Sequence, residues 1–347
     1  MTVLGFTLFC VALSVSPLAS SAASRTTRGV GDVALYWREV ARIRAGASYH
    51  DAAAAELRVL GYPTRSLFNW RTPLPMWLVA KLQIDLLAQA ILASAALATL
   101  VLGYTVLDKE GQRWKSVGAV VLLIGAMLPC VLDGLFIMPV VWSGVLIALS
   151  LCVSAIEWRK AGAAVGIAAL FFRELAGVYC AAMLVLAVAR RRRGEVAVWL
   201  AGMVAYAVFF AWHASEVYRR IEHDAVAHQS GWIQFGGAAF VISTFQMNAC
   251  LLVLPQWFSA VYFPLSMLGF AGWPGRAGER FGFAACAFVL VFAIVGHAFN
   301  QYWGSLLAPL ACFGFAWAPA SITDLLRASG WWPARVASDA IPVDADC

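Results

Sequence analysis

The chain has 347 residues, 62% hydrophobic and only 13% charged, with a formal net charge of +6. A soluble globular domain carries roughly a quarter of its residues as charges, so this composition argues against the ordinary soluble class, and the modest positive balance gives no reason to expect a nucleic-acid partner. Several apolar runs approach or exceed the ~18 residues that cross a bilayer, and they lack the short alternating segments of an outer-membrane barrel.

In hydrocarbon, backbone amides must find internal partners, which favours helices. The expected fold is all-α: a polytopic helical membrane protein with about 9–11 transmembrane or re-entrant helices. Most of the eight cysteines lie in apolar segments and none has CxxC spacing. Neither a zinc site nor a disulfide framework is therefore expected, and no cofactor is implied.

The chain opens with MTVLGFTLFCVALSVSPLASSAAS, an apolar core followed by small residues but without a basic n-region. An uncleaved first helix over about 3–20 is expected. Residues 21–75 form the only long hydrophilic segment. Within it, Val33, Tyr36, Trp37, Val40 and Ile43 recur at helical spacing, with Asp32 at the start and Gly46 at the stop. A second short helix follows, with Ser48 and Asp51 at capping-box spacing and Gly61 at its end. Both helices should lie on the membrane surface in the first outward loop. GYPTRSLFNWRTPLP then reads as an irregular stretch entering the membrane.

A long helix is expected over about 76–107, then helices at about 117–132 and 135–156, separated by a turn at Leu132-Asp133-Gly134. The run 161–189 is almost unbroken apolar sequence, yet it contains Arg173 and Glu174. It is flanked by EWRK (157–160) and RRRR (190–193), both of cytoplasmic type. An even number of crossings must join them, so a hairpin of two short helices turning near Phe172-Arg173-Glu174 is expected. Charges inside an apolar run usually face protein or water. Adjacent residues on a helix do not face one another, so each of these two is expected to have its own partner.

A helix at about 195–215 leads to a polar segment, EVYRRIEHDAVAHQSGW, and then to segments at about 236–254, 257–272, 281–298 and 304–320. If all four cross fully, HAFNQYWG lies on the cytoplasmic side; if one of the first two is re-entrant, it lies outside with the first loop. The membrane domain is expected to cover 1–325, and the polar tail 326–347 to be disordered.

The residues that could carry chemistry are Asp32, Arg71, Asp133, Arg173, Glu174, Asn300 and Tyr302. Each also has a plain structural role open to it. Asp32 suits a helix cap, Arg71 an interfacial anchor, Asp133 the turn it sits in, and Arg173 and Glu174 interhelical ion pairs.

The succession GD…Y…I…G…Y, RTPLP, FFREL and FNQYWG…APL resembles the GT-C superfamily of integral-membrane glycosyltransferases. It is most similar to the family 87 type of bacterial enzymes that use polyprenyl-phosphate sugars. The likeness runs over about residues 1–325 and lies in the order of weak motifs. Asp32 matches the acid that GT-C enzymes carry early in the first outward loop; Gly31 precedes it, so the acidic pair of many relatives is a single acid here. The resemblance implies a bacterial inner-membrane enzyme with its site facing the periplasm. Asp32 would be the catalytic base, and Arg173, then Arg71, would bind the donor phosphate. Glu174, Trp70, Asn300, Tyr302 and Trp303 would contact sugar. A polyprenyl-phosphate sugar would be the donor, and a lipid or glycan the acceptor, with inversion at the anomeric carbon. The competing reading from the same residues is a transporter or lipid-linked glycan flippase, and beyond it a membrane scaffold.

Overall fold

The computed structural model describes residues 31–109, 113–132, 134–227 and 234–331. The first helix expected at 3–20, Asp133 and the tail beyond 331 lie outside these residues. Among the described residues all regular structure is helical. Helices α1 (Asp32–Arg44) and α2 (Tyr49–Val59) form the amphipathic pair of the first loop. The Ser48 hydroxyl accepts from the Asp51 backbone amide, as the spacing predicts. Next come α3 (Leu74–Leu82), α4 (Asp85–Lys109), α5 (Arg113–Met127) and α6 (Pro139–Ala155). They are followed by α7 (Arg159–Phe172), α8 (Gly177–Ala189) and α9 (Arg193–Tyr218). The last group is α10 (Gly237–Phe245), the single turn α11 (Ala249–Leu252), α12 (Gln256–Gly272), α13 (Gly275–Ile294) and α14 (Ala308–Ala328).

Helices α4, α9, α13 and α14 are long and apolar enough to cross a membrane, and 117–130, 139–155 and 174–189 are shorter apolar helical segments. Leu97 and Val101 on α4 and Val204 and Val208 on α9 are exposed. A soluble protein seldom leaves so much contiguous apolar surface uncovered, whereas a helical protein in a bilayer presents such a surface to lipid.

The run 161–189 is the hairpin that its flanking charges require. Helix α7 ends at Arg173, whose backbone is extended (φ −151°, ψ 123°), and a 3-10 turn, Glu174–Ala176, starts α8. The thiol of Cys180 reaches the Gly166 carbonyl at 3.5 Å, so α8 returns along α7. A Cβ on Gly194 would lie 3.0 Å from Lys160 Cε, which brings the two basic ends together. With 14 residues in α7, the Arg173 break and this arginine end are about 20 Å apart.

The expected helix at 76–107 is broken. Gln83 adopts a left-handed conformation (φ 55°) that ends α3, and Arg44 ties the break by donating to the Val79 carbonyl and pairing with Asp85. The segment at 236–254 is broken as well. Helix α10 has nine residues, about 14 Å of rise, against a hydrocarbon core of ~30 Å. Its chain turns at Asn248, whose side chain caps α11 and donates to the Leu122 carbonyl at 2.7 Å.

Helix α12 then runs beside α14 in the same direction, Tyr262 meeting Cys312 and Gly272 meeting Ser321. A Cβ on Gly269 would sit 1.7 Å from the Gly314 carbonyl oxygen, so only glycine permits this approach. Small residues of this kind let membrane helices meet closely. Helix α13 returns from the arginine end, and the 3-10 segment Ala298–Leu306 reaches the first loop. The 236–254 segment is thus two short helices rather than one, and HAFNQYWG shares an end of the bundle with Asp32. Helix α14 continues past 325 to Ala328.

Candidate functional site

Arg71 is the centre of the site. It precedes α3 in a stretch where Pro63 and Pro73 disfavour helix, and Pro75 sits in the first turn of α3, where proline is tolerated. Its backbone is fixed from two sides: its carbonyl accepts from the Tyr49 hydroxyl, and the neighbouring Thr72 hydroxyl donates to the Phe171 carbonyl at 3.1 Å. The guanidinium donates from Nε to the Tyr36 hydroxyl at 3.1 Å, from Nη1 to the Phe68 carbonyl, and from Nη2 to the Tyr302 hydroxyl at 3.2 Å. It also faces Asp32 at 4.0 Å and Glu174 at 3.6 Å. One arginine thus joins the first loop, the helix break and the 298–306 segment.

Asp32 is the first residue of α1, one place past the cap position, which Gly31 occupies. Its carboxylate turns to Tyr62, which donates to Oδ1 at 3.0 Å, and to Arg71. The capping role open to it in the sequence is not the one it takes. At the break, Arg173 pairs directly with Glu174, Nη1 to Oε1 at 3.2 Å. Separate partners were expected because neighbours on a helix diverge. Arg173 is not helical, and its extended backbone lets the two side chains meet. Glu174 still has a second cation in Arg71. Arg173 is buried, and its Nε has no acceptor among the described residues.

The remaining expected residues divide. Tyr302 is in the cluster through Arg71. Asn300 is buried in the same 3-10 segment, and its Nδ2 has no hydrogen-bond partner among the described residues. Two glycine contacts seat that segment: a Cβ on Gly304 would lie 2.0 Å from the Thr244 carbonyl oxygen, and one on Gly144 2.1 Å from that of Ser305. Trp70 and Trp303 are both buried. The Trp70 indole donates to the Thr64 carbonyl at 2.9 Å. Trp303 packs edge-on against Phe240. Gly134 accepts from the Trp37 indole at 3.3 Å.

Sequence reasoning missed Tyr36, Glu39, Tyr49 and Tyr62. Residues 32, 36 and 39 fall on one face of α1, a helical spacing that was legible but was read only for its apolar members. Burial, then the Asp32 charge, pushes the Tyr36 and Tyr62 phenols up, so both stay neutral. Glu39 is buried and its Oε2 has no partner. Burial pushes its carboxyl up to about 8, with Arg71 opposing and Asp32 and Glu56 adding to the shift. Also missed was a buried histidine pair behind the site. His213 donates from Nε2 to the Trp70 carbonyl at 3.2 Å, which leaves its Nδ1 to accept from His50 Nε2 at 3.1 Å.

A hollow of about 490 Å³ lies beside the cluster, lined by Tyr62, Thr64, Trp70, Arg58 and Arg220 among others. It reaches the tyrosine that holds Asp32. Among the described residues, no three His, Cys, Asp or Glu side chains gather as metal ligands. In comparisons with known proteins, no family model matches the chain, and no curated protein or solved structure is detectably similar to it.

Proposed function

We propose that this protein is an inverting glycosyltransferase that moves a hexose, mannose or another, from a polyprenyl-phosphate donor to a lipid or glycan acceptor. The observation that carries the reading is the orientation of Asp32. A carboxylate at a helix start, one place past the cap Gly31, faces Arg71, and Arg71 in turn faces the Arg173–Glu174 break. The GT-C resemblance supplies the reaction class, and the residue types suit it.

In this reaction the acceptor oxygen attacks the anomeric carbon as the bond from that carbon to the phosphate oxygen breaks. The acceptor proton goes to Asp32, and the lipid phosphate leaves with the bonding electron pair. Base assistance of this kind contributes roughly 10²–10⁴-fold. The departing phosphate calls for guanidinium donors, whose planar fork matches its oxygens. Arg173 is the better placed, because its Nε is not committed to a protein acceptor. Arg71 is engaged by Tyr36, Tyr302 and Phe68, and organises the site. Tyr62 holds the Asp32 carboxylate from the other side. The arginine end would face the cytoplasm by the positive-inside rule, which directs the site outward, to the periplasm of a bacterial inner membrane.

One observation favours a transporter or flippase as the second reading. The α7–α8 break and the short α10–α11 segment are discontinuous helices, and transporters build sites from such breaks. A single experiment separates the two. Purified protein is incubated with labelled polyprenyl-phosphate mannose and with the glucose analogue, together with a membrane glycolipid extract. The products are then resolved by mass spectrometry and their anomeric configuration by NMR. Label transferred with inverted configuration is the expected outcome. Movement of intact donor across proteoliposomes without transfer would make the second reading the correct one.

A further inference from the structure

The arginine end contains two hollows that share one residue. The first, about 500 Å³, is lined by Arg190, Arg192, Gly275, Arg276 and Glu279. The second, about 450 Å³, brings Arg159, Lys160 and Arg193 to the other side of Arg192. Three carboxylates serve this region, and each is already paired with a cation. Glu195 is held by Arg280, whose Nη2 lies 2.6 and 2.7 Å from its two oxygens, both side chains being buried. Glu279 is held by Arg190. Glu157 pairs with Arg159 and lies 3.8 Å from Arg276. Arg192 is left with Glu195 at 3.6 Å, although its side chain is only 17% exposed. Lys160 and Arg193 have no carboxylate partner among the described residues.

We propose that these hollows bind the phosphate head group of an anionic phospholipid, with Arg192 between them as the central contact and Arg276 and Lys160 at the two sides. Four features favour that occupant. The cations exceed the carboxylates, so an added anion relieves repulsion. Burial, then the guanidiniums of Arg159 and Arg280, pulls Arg192 below the usual arginine value, so a nearby anion would favour its charged form. The hollows lie where α7, α8, α9 and α13 end, at the level a bilayer's head groups occupy, and the exposed Trp158 beside them is the residue type that settles at that level. The first turn of α13 carries no acid and no side-chain cap, so its free amides add to the attraction.

The site is separate from the Asp32 cluster, about 20 Å away along α7, and the inference does not depend on the glycosyltransferase reading. Its test is a titration of fluorescent phosphatidylglycerol into the detergent-solubilised full chain, with unlabelled phosphatidylglycerol, phosphatidylcholine and inorganic pyrophosphate as competitors. Unlabelled phosphatidylglycerol should displace the probe, and phosphatidylcholine should not. A basic side chain near an anionic head group is worth about a fivefold change in affinity. Arg192→Gln and Arg276→Gln should each weaken binding by about that factor. Arg276 is 67% exposed, so its variant tests the site even if Arg192→Gln fails to fold. Equal displacement by phosphatidylcholine, or unchanged affinity in Arg276→Gln, would overturn the proposal. Displacement by pyrophosphate at lower concentration than by phosphatidylglycerol would assign the hollows to a soluble polyphosphate instead.

Discussion

The two ends of the helical bundle hold charge in opposite ways. At the Asp32 end, two carboxylates and two guanidiniums balance, and tyrosine hydroxyls take up directions that ions leave over. At the arginine end, one tight buried pair sits under a surplus of cations. The difference separates structure from function. Arg280 and Glu195 satisfy each other and can be understood as a fastening between α13 and α9. The Asp32 cluster is neutral as a whole, yet Arg173 keeps an unused donor inside it. A group buried without a partner is costly, and such costs concentrate at functional sites.

The largest effect on stability should come from breaking the fastening. Glu195→Ala leaves Arg280 buried and uncompensated, a loss on the order of 3–5 kcal/mol. Replacing both partners, Glu195→Leu with Arg280→Met, should recover most of that loss. Thermal unfolding in detergent measures both, and a single variant as stable as the parent would mean that the pair is not a fastening.

Arg173 sharpens the contrast from the other end. Arg173→Lys keeps the charge but not the fork, and should lower transfer by about 10²-fold, as loss of one oriented donor does. Donor-concentration kinetics beside a melting curve read this. A variant that unfolds but, where folded, uses donor normally would make Arg173 structural, like Arg280.

The smallest effect is the one tuned by pH. The Glu39 carboxyl, ordinarily at 4.5, is pushed up to about 8 in the fold. Its folded value is the higher one, so its contribution is fully present below about pH 4.5 and is lost as pH rises towards about 8. Glu39→Gln should therefore flatten the decline in melting temperature across that window and stabilise the protein at its alkaline end. Parallel curves for parent and variant would place the titration elsewhere.

Much of this was legible in the sequence, and the reasons differ by region. The α7–α8 hairpin followed from charge bookkeeping, because EWRK and RRRR cannot lie at opposite ends of one straight helix. The amphipathic α1 and α2 followed from apolar spacing and caps. The break at Gln83 carried no glycine or proline to announce it; a tertiary tie from Arg44 holds it. The burial of Trp70 and Trp303 was not legible, because an aromatic that packs and one that binds have the same letter. Tyr62 could not be tied to Asp32 from spacing, since the contact joins separate segments of the first loop.

The central claim is that Asp32 accepts the acceptor's proton, and the most direct measurement is the transfer rate of Asp32→Asn at saturating labelled donor, with its melting temperature recorded on the same sample. Asparagine keeps the shape of Asp32 and can still accept from Tyr62, so the variant should melt close to the parent while its rate falls on the order of 10²–10⁴-fold. A variant that transfers at the parent rate, or one that loses its activity only by unfolding, would contradict the account.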